Sequence, residues 1–151
     1  MTVRHLTAIL LGALCLPGSL SAQATSRQKQ AVISEVDRLS GEINRMAMTL
    51  WTYSEIALKE SKSAAFLADL AEQEGFTVER GVAGMPTAFV ATWGSGSPVI
   101  GILAEYDALP GIGNEAVPLR QPRADGTLGG QGCGHNLFGA GSVGAAIALK
   151  R

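Results

Sequence analysis

The sequence predicts an α/β fold in which a mixed sheet is flanked by helices. Three segments have the apolar spacing of helices, and three short runs between the second and third of them have the composition of strands. Glycine accounts for 19 of the 151 residues, and aromatic residues make up only 5%. This composition suits an α/β protein with many tight turns, and the length allows one domain with a sizeable core.

Residues 1–24 have the features of a secretory signal peptide. A short polar stretch at Arg4-His5 precedes the apolar run Leu6–Leu16, and Ala22-Gln23-Ala24 matches a cleavage pattern. The apolar run is too short to span a bilayer, although a retained membrane anchor is the alternative. We therefore expect an exported protein, periplasmic or secreted, whose mature chain of residues 25–151 does not associate with the membrane.

The first predicted helix runs from Ser26 to about Tyr53. Its apolar residues recur at three- and four-residue steps and are Ile33, Val36, Leu39, Ile43, Met46 and Leu50. A second helix is predicted from Ser61 to about Glu74, and the hydroxyl of Ser61 or Ser63 can cap its start. Gly75 suits the left-handed position that commonly follows the end of a helix.

Three strands are predicted next, at Phe76–Val82, Thr87–Trp93 and Val99–Ala104. The last of these is a continuous apolar run, which predicts a strand buried on both faces. Gly111–Gly132 is a long irregular stretch, and loops of this length in compact domains are often functional. A third helix is predicted from Asn136 to Lys150.

Cys133 and His135 are the candidate metal ligands, because a thiolate and an imidazole commonly bind zinc and its first-row neighbours. Residues two apart in an extended segment point to the same side, and Gly132 and Gly134 allow the backbone to approach an ion. After signal cleavage Cys133 is the only cysteine. The alternatives are a buried thiol beside a surface histidine, an intermolecular disulfide, and a nucleophilic Cys-His pair.

Asp107 is the candidate partner of that histidine. It follows the predicted strand Val99–Ala104, and α/β sheets place their sites beyond the carboxyl ends of strands. A carboxylate there can hold a ligand histidine in orientation, whereas a turn-forming aspartate is the alternative. Glu105 is a further candidate, although a glutamate at a strand end can simply face water.

Two ligand classes are disfavoured. The formal net charge is −1, which gives no indication of nucleic acid as a partner. Gly139–Gly144 matches the dinucleotide pattern G-x-G-x-x-G, but that pattern has meaning only directly after a strand. Here the glycines fall inside a predicted helix, so we interpret them as small residues that allow close helix packing.

The motifs Ala104–Pro110 (AEYDALP) and Gly132–Asn136 (GCGHN), together with Gly84–Phe89, resemble those of the aminoacylase and carboxypeptidase-type dinuclear metallo-amidohydrolases. Within that family the resemblance is to the branch of the p-aminobenzoyl-glutamate hydrolase B subunit and the indole-acetyl-amino-acid hydrolases. One departure is Asn136, where many relatives carry an aspartate. Because of this departure, the resemblance constrains the identity of the substrate less.

The resemblance implies that Cys133 and His135 bind a divalent metal, zinc or manganese, and that two ions are present in the full-length enzyme. It implies that Asp107 is the catalytic aspartate that orients the site. The expected reaction is metal-dependent hydrolysis of an amide bond in a small substrate with a free carboxylate, such as an N-acyl amino acid, a dipeptide or a p-aminobenzoyl-glutamate-like compound.

In this family the general-base glutamate, the remaining ligands and a dimerisation domain come later in the sequence. We therefore expect residues 25–151 to be the incomplete amino-terminal part of a metallopeptidase catalytic domain. The full-length enzyme is expected to be a homodimer or to pair with a second subunit. The alternative is a truncated product without catalysis, which acts at most as a metal-binding or interaction module.

Overall fold

The computed structural model describes residues 26–151, so the predicted signal peptide lies outside the described residues. The described part contains three helices, two strands and a short 3₁₀ turn, which confirms the predicted α/β class. The elements are α1 (Arg27–Tyr53), α2 (Ser61–Gln73), β1 (Thr77–Arg80), the 3₁₀ turn (Val82–Gly84), β2 (Phe89–Thr92) and α3 (His135–Lys150). No helix in this part of the chain combines the length and apolar character needed to cross a bilayer.

Helix α1 has the predicted bounds. The Ser26 hydroxyl accepts a hydrogen bond from the Lys29 N–H at 3.2 Å, which satisfies one of the free donors at the start of the helix. Ser54 ends the helix in the left-handed conformation, and its N–H donates to the Leu50 carbonyl. The buried residues all belong to the predicted apolar stripe or lie beside it, namely Leu39, Met46, Ala47 and Leu50.

Helix α2 also forms where it was predicted, but the predicted cap is wrong. The carboxylate of Glu55 accepts hydrogen bonds from the Ser63 N–H at 2.8 Å and from the Lys62 N–H at 3.1 Å. The Ser63 hydroxyl donates to the same carboxylate at 2.9 Å and is therefore not the capping group. The negative charge of this carboxylate also complements the helix dipole at the start of α2. Gly75 has φ +83°, as predicted for the residue after the helix.

The sheet within the described residues consists of β1 and β2 paired antiparallel, with Thr77 opposite Thr92 and Arg80 opposite Phe89. Both strands lie inside predicted ones. The third predicted strand, Val99–Ala104, is wrong for the chain as described, because it has no ladder hydrogen bonds and Val99 is 88% exposed. A strand needs neighbouring backbone as hydrogen-bond partner, and no segment of residues 26–151 supplies it.

The core lies between the helices. Helix α1 packs along α3, and one cluster joins all three helices while a second joins α1 to the end of α3. The two clusters contain Met46, Ala47, Leu50, Leu67, Leu70 and Ala140, and Leu39, Ile147 and Ala148. Two glycines of α3 permit this packing, because a Cβ at Gly144 would lie 2.7 Å from Ile43 and one at Gly139 would lie 2.7 Å from the Glu105 carbonyl oxygen. The close-packing interpretation therefore holds for Gly139 and Gly144 but not for Gly141, where a Cβ would meet no atom within 4 Å.

Arg123 binds the long irregular stretch Gly111–Gly132 to the end of α1. Its guanidinium donates to the carbonyls of Trp51 and Thr52 at 3.1 Å each and lies over the Trp51 ring, 4.7 Å from the centroid. A cation at this position complements the negative end of the helix dipole. Arg123 also pairs with Asp125, and this pairing, with a hydrogen bond from the Thr127 N–H, holds the pKa of the Asp125 carboxyl well below its usual range.

Candidate metal centre

His135 is the first residue of α3, and the chain before it fixes its position. Gly134 precedes the helix in the left-handed conformation at φ +82°, which favours glycine. The next residue, Asn136, is buried; its N–H donates to the Gln131 side-chain oxygen at 3.0 Å and its side-chain amide donates to the Ala47 carbonyl at 3.2 Å. A carboxylate has no hydrogen to donate to Ala47, so the structure gives a local reason for asparagine at this position.

Glu105 and Asp107 reach the same imidazole from a neighbouring segment. The Asp107 Oδ1 atom lies 2.8 Å from His135 Nδ1, and the Glu105 Oε2 atom lies 2.9 Å from His135 Nε2. Across residues 26–151, these are the three side chains whose ligand atoms lie within 4.8 Å of one another. Their side chains are 46% exposed for Glu105, 27% for Asp107 and 21% for His135, so the cluster is open to solvent on the glutamate side.

Tyr106 explains why both carboxylates face the histidine. Its ring stacks on Phe89 at 6.2 Å between centroids, and its hydroxyl donates to the Thr87 carbonyl. Burial, followed by the negative charge of Glu60, raises the pKa of Tyr106 to about 12. Because side chains alternate in direction along an extended segment, a tyrosine directed into the protein places both of its neighbours on the other side.

Backbone contacts of the two residues that follow Asp107 hold this segment in place. The Ala108 N–H donates to the Glu55 carbonyl at 2.7 Å, and Ala108 forms a parallel bridge with Ile56. Leu109 forms an antiparallel bridge with Gly130, with hydrogen bonds of 2.9 and 3.0 Å. The carboxylates are therefore tied both to the connection between α1 and α2 and to the glycine-rich loop that leads to Cys133.

Cys133 lies in the turn before α3 and is a free, exposed cysteine. The turn is closed by a hydrogen bond from the Gly134 N–H to the Gln131 carbonyl at 3.0 Å. Its sulfur is not part of the three-residue cluster. The role of Cys133 as a metal ligand therefore stays a prediction, as does that of His135, whereas the contact between His135 and Asp107 is observed.

Glu105 is the member of the cluster that the sequence alone leaves ambiguous, because a glutamate at a strand end can also face water. The structure places its carboxylate on the imidazole nitrogen opposite Asp107. The signal in the sequence was the two-residue spacing of Glu105 and Asp107, which puts both on one side of an extended segment. Imidazole and carboxylate are donors that divalent zinc and manganese accept, so the residues present fit a metal ion.

Two glycines of α3 offer a matched test of how closely the carboxylate segment packs on the helix. A Cβ at Gly139 would lie 2.7 Å from the Glu105 carbonyl oxygen, whereas a Cβ at Gly141 would meet no atom within 4 Å. We expect Gly139→Ala to lower the free energy of unfolding by about 1–3 kcal/mol, because backbone must move. Gly141→Ala should raise it by up to about 1 kcal/mol through helix propensity.

Chemical denaturation followed by circular dichroism measures both variants. Equal effects of the two substitutions would show that the Glu105 segment does not pack on α3 as described.

Three characterised proteins resemble this chain. The B subunit of p-aminobenzoyl-glutamate hydrolase from Escherichia coli (strain K12) is 42% identical over 106 residues, which cover 70% of this chain and 22% of the relative. The Xaa-Arg dipeptidase of Homo sapiens is 31% identical over 127 residues, covering 76% of this chain and 25% of the relative. The Xaa-Arg dipeptidase of Mus musculus is 27% identical over 144 residues, covering 89% of this chain and 30% of the relative.

The chain belongs to the amidohydrolase and peptidase family of these relatives. This confirms the resemblance carried by the AEYDALP and GCGHN motifs, which contain all the residues of the candidate metal centre. The chain spans between about a fifth and a third of the length of the relatives it matches. No protein-family model matches the sequence.

Proposed function

We propose that this chain belongs to a metal-dependent amidohydrolase that cleaves an amide bond in a small substrate carrying a free carboxylate. The observation that carries the proposal is the contact of His135 with Asp107 and Glu105 inside the motifs of a hydrolase family. The names of the relatives support p-aminobenzoyl-glutamate-like compounds and dipeptides as substrates. N-acyl amino acids belong to the same chemical class.

We assign Cys133 and His135 as ligands of zinc or manganese, with two ions in the full-length enzyme. When bound, such an ion supplies polarisation of the amide carbonyl and lowers the pKa of a water molecule. Asp107 accepts the hydrogen of His135 Nδ1 and so fixes the tautomer that leaves Nε2 free as a ligand. In this proposal Asp107 is the catalytic aspartate that orients the site.

We also propose a location and an assembly for the enzyme. Residues 1–24 would direct export and be removed at Ala24, so that the enzyme acts in the periplasm or outside the cell. One relative is the B subunit of its enzyme, which favours pairing with a second subunit. A homodimer is the other assembly consistent with the family resemblance.

The test is a hydrolysis assay on the purified full-length enzyme before and after metal removal. The protein is stripped with a chelator and assayed with p-aminobenzoyl-glutamate, a set of N-acyl amino acids and a set of dipeptides. We expect at least one substrate to be hydrolysed, the activity to disappear on chelation, and Zn²⁺ or Mn²⁺ to restore it. The same substrates with the free carboxylate blocked as an amide serve as controls and should react far more slowly.

Metal binding without hydrolysis of any of these substrates would contradict the proposed activity. That result would favour the alternative of a non-catalytic metal-binding module. Hydrolysis that persists after complete metal removal would contradict the proposed mechanism instead.

A further inference from the structure

We propose that Glu105 supplies a carboxylate oxygen to the metal ion held by His135. The inference rests on the proposed function, since it adds a ligand to the same metal centre. It starts from the observation that both ring nitrogens of His135 face carboxylates, Asp107 at 2.8 Å and Glu105 at 2.9 Å.

A neutral imidazole carries one hydrogen, so it can donate to one of these carboxylates but not to both. The other contact then sets a nitrogen lone pair against a negatively charged oxygen. Such a contact is favourable only when a cation, either a second ring proton or a metal ion, stands between the two atoms. The metal is the cation that the proposed function already requires at this nitrogen.

The surroundings decide which carboxylate takes the hydrogen and which takes the ion. Asp107 is the less exposed of the two, and the next residue, Ala108, is buried and hydrogen-bonded to the Glu55 carbonyl. Glu105 has the longer side chain and is 46% exposed. Asp107 is therefore the fixed acceptor of the Nδ1 hydrogen, and the Glu105 side is the one from which an ion can enter.

The spacing suits a shared ion after a small movement. Zinc–nitrogen and zinc–carboxylate bonds of about 2.0–2.2 Å at a tetrahedral angle put the two donor atoms roughly 3.4 Å apart. The observed separation of Nε2 and Oε2 is 2.9 Å. A half-exposed glutamate can widen it by rotation about its side-chain bonds, while the Glu105 backbone stays packed against Gly139.

The structure offers a matched pair of variants for the test. Glu105→Gln removes the charge at the site, and Glu79→Gln makes the same change on exposed β1, where the glutamate side chain has no hydrogen-bonded or ion-paired partner among the described residues. Zn²⁺ affinity of the purified protein is measured by competition with a chromophoric chelator. Replacement of even an outer-sphere group typically costs about 10–100-fold in metal affinity. We expect Glu105→Gln to weaken Zn²⁺ binding by at least 10-fold and Glu79→Gln to change it by less than twofold.

Two further readouts separate a ligand from a structural residue. The visible spectrum of the Co²⁺-substituted protein should change for Glu105→Gln and not for Glu79→Gln, because only the former alters the ligand set. In the metal-free state Glu105→Gln should unfold no earlier than the unchanged protein, since the new amide N–H can donate to the Nε2 lone pair. An unchanged Co²⁺ spectrum together with unchanged Zn²⁺ affinity would overturn the inference.

His135→Ala in the same titration distinguishes this inference from the proposed function. Loss of metal in His135→Ala but not in Glu105→Gln would overturn the role of Glu105 and leave the metal centre standing. Full metal retention in both variants would overturn the metal centre itself.

Discussion

In the full-length enzyme, replacement of His135 by alanine is expected to remove most of the bound divalent metal and to lower amide hydrolysis by more than about 100-fold. His135 is the residue that joins the cluster, because its two ring nitrogens contact Asp107 and Glu105. Without the imidazole, the ring nitrogen proposed to bind the metal is lost and the two carboxylates no longer share a partner. Elemental analysis of the purified protein measures the metal, and a hydrolysis assay measures the activity.

The matched control for this prediction is Leu137→Ala. Leu137 lies two residues further along the same helix and is exposed, so its truncation leaves the cluster intact. The control should keep both metal and activity. Unchanged metal content in His135→Ala, with the helix content of the protein preserved, would contradict the assignment of this histidine as a ligand.

The largest effect on stability is expected for Leu50→Ala, which should lower the free energy of unfolding by about 2–5 kcal/mol. Leu50 is fully buried in the cluster that joins all three helices. Its side chain also approaches Gly139, at the point where α3 passes the carboxylate segment. The loss combines the transfer of apolar surface to water with the cavity left behind, because neighbouring helices relax only in part.

The control on the same helix is Met48→Ala. Met48 is 57% exposed, and surface substitutions of this kind usually change the stability by less than about 0.5 kcal/mol. Denaturant titration of both variants measures the difference. A similar small loss for Leu50→Ala would show that the interface between α1 and α3 is not the core of the described residues.

Local patterns were enough to predict the helices. The glycine that follows α2 was found where the sequence placed it. The apolar stripe of α1 was found from Leu39 to Leu50, whereas its first two predicted members, Ile33 and Val36, are exposed. The cap of α2 was missed because the capping carboxylate belongs to Glu55, which lies in the connection between α1 and α2 and not at the residue directly before the helix. Sequence rules look for the cap at the residue directly before the helix.

The prediction for Val99–Ala104 failed for a different reason. A continuous apolar run identifies residues suited to a buried strand, but a strand exists only where other strands pair with it. In residues 26–151 the one sheet is formed by β1 and β2, which pair with each other. Val99 and Leu103 remain exposed as a result.

Of the candidate metal centre, the contact between Asp107 and His135 was predicted. The sequence identified Asp107 as a carboxylate suited to orient His135, and the two side chains are in contact. It did not place Glu105 on the second ring nitrogen, because the direction of a glutamate side chain depends on packing partners elsewhere in the chain. Here the deciding contact is Tyr106 with Phe89, which fixes the side of the segment that faces inward.

The docking of the long loop was beyond sequence reasoning for a similar reason. Arg123 binds the carbonyl of Trp51, a residue 72 positions earlier in the chain. No local pattern marks such a pair. The family resemblance adds to the expectation that the loop leads to a metal-binding cysteine and histidine, and the relatives confirm the family.

The most direct test of the metal centre is an anomalous-difference map from a crystal of the zinc-loaded protein, recorded at the zinc absorption edge. The account predicts a peak within bonding distance of His135 Nε2, with the Cys133 sulfur turned towards it and Asp107 still on Nδ1. A zinc peak at other side chains, with His135 unligated, would contradict it.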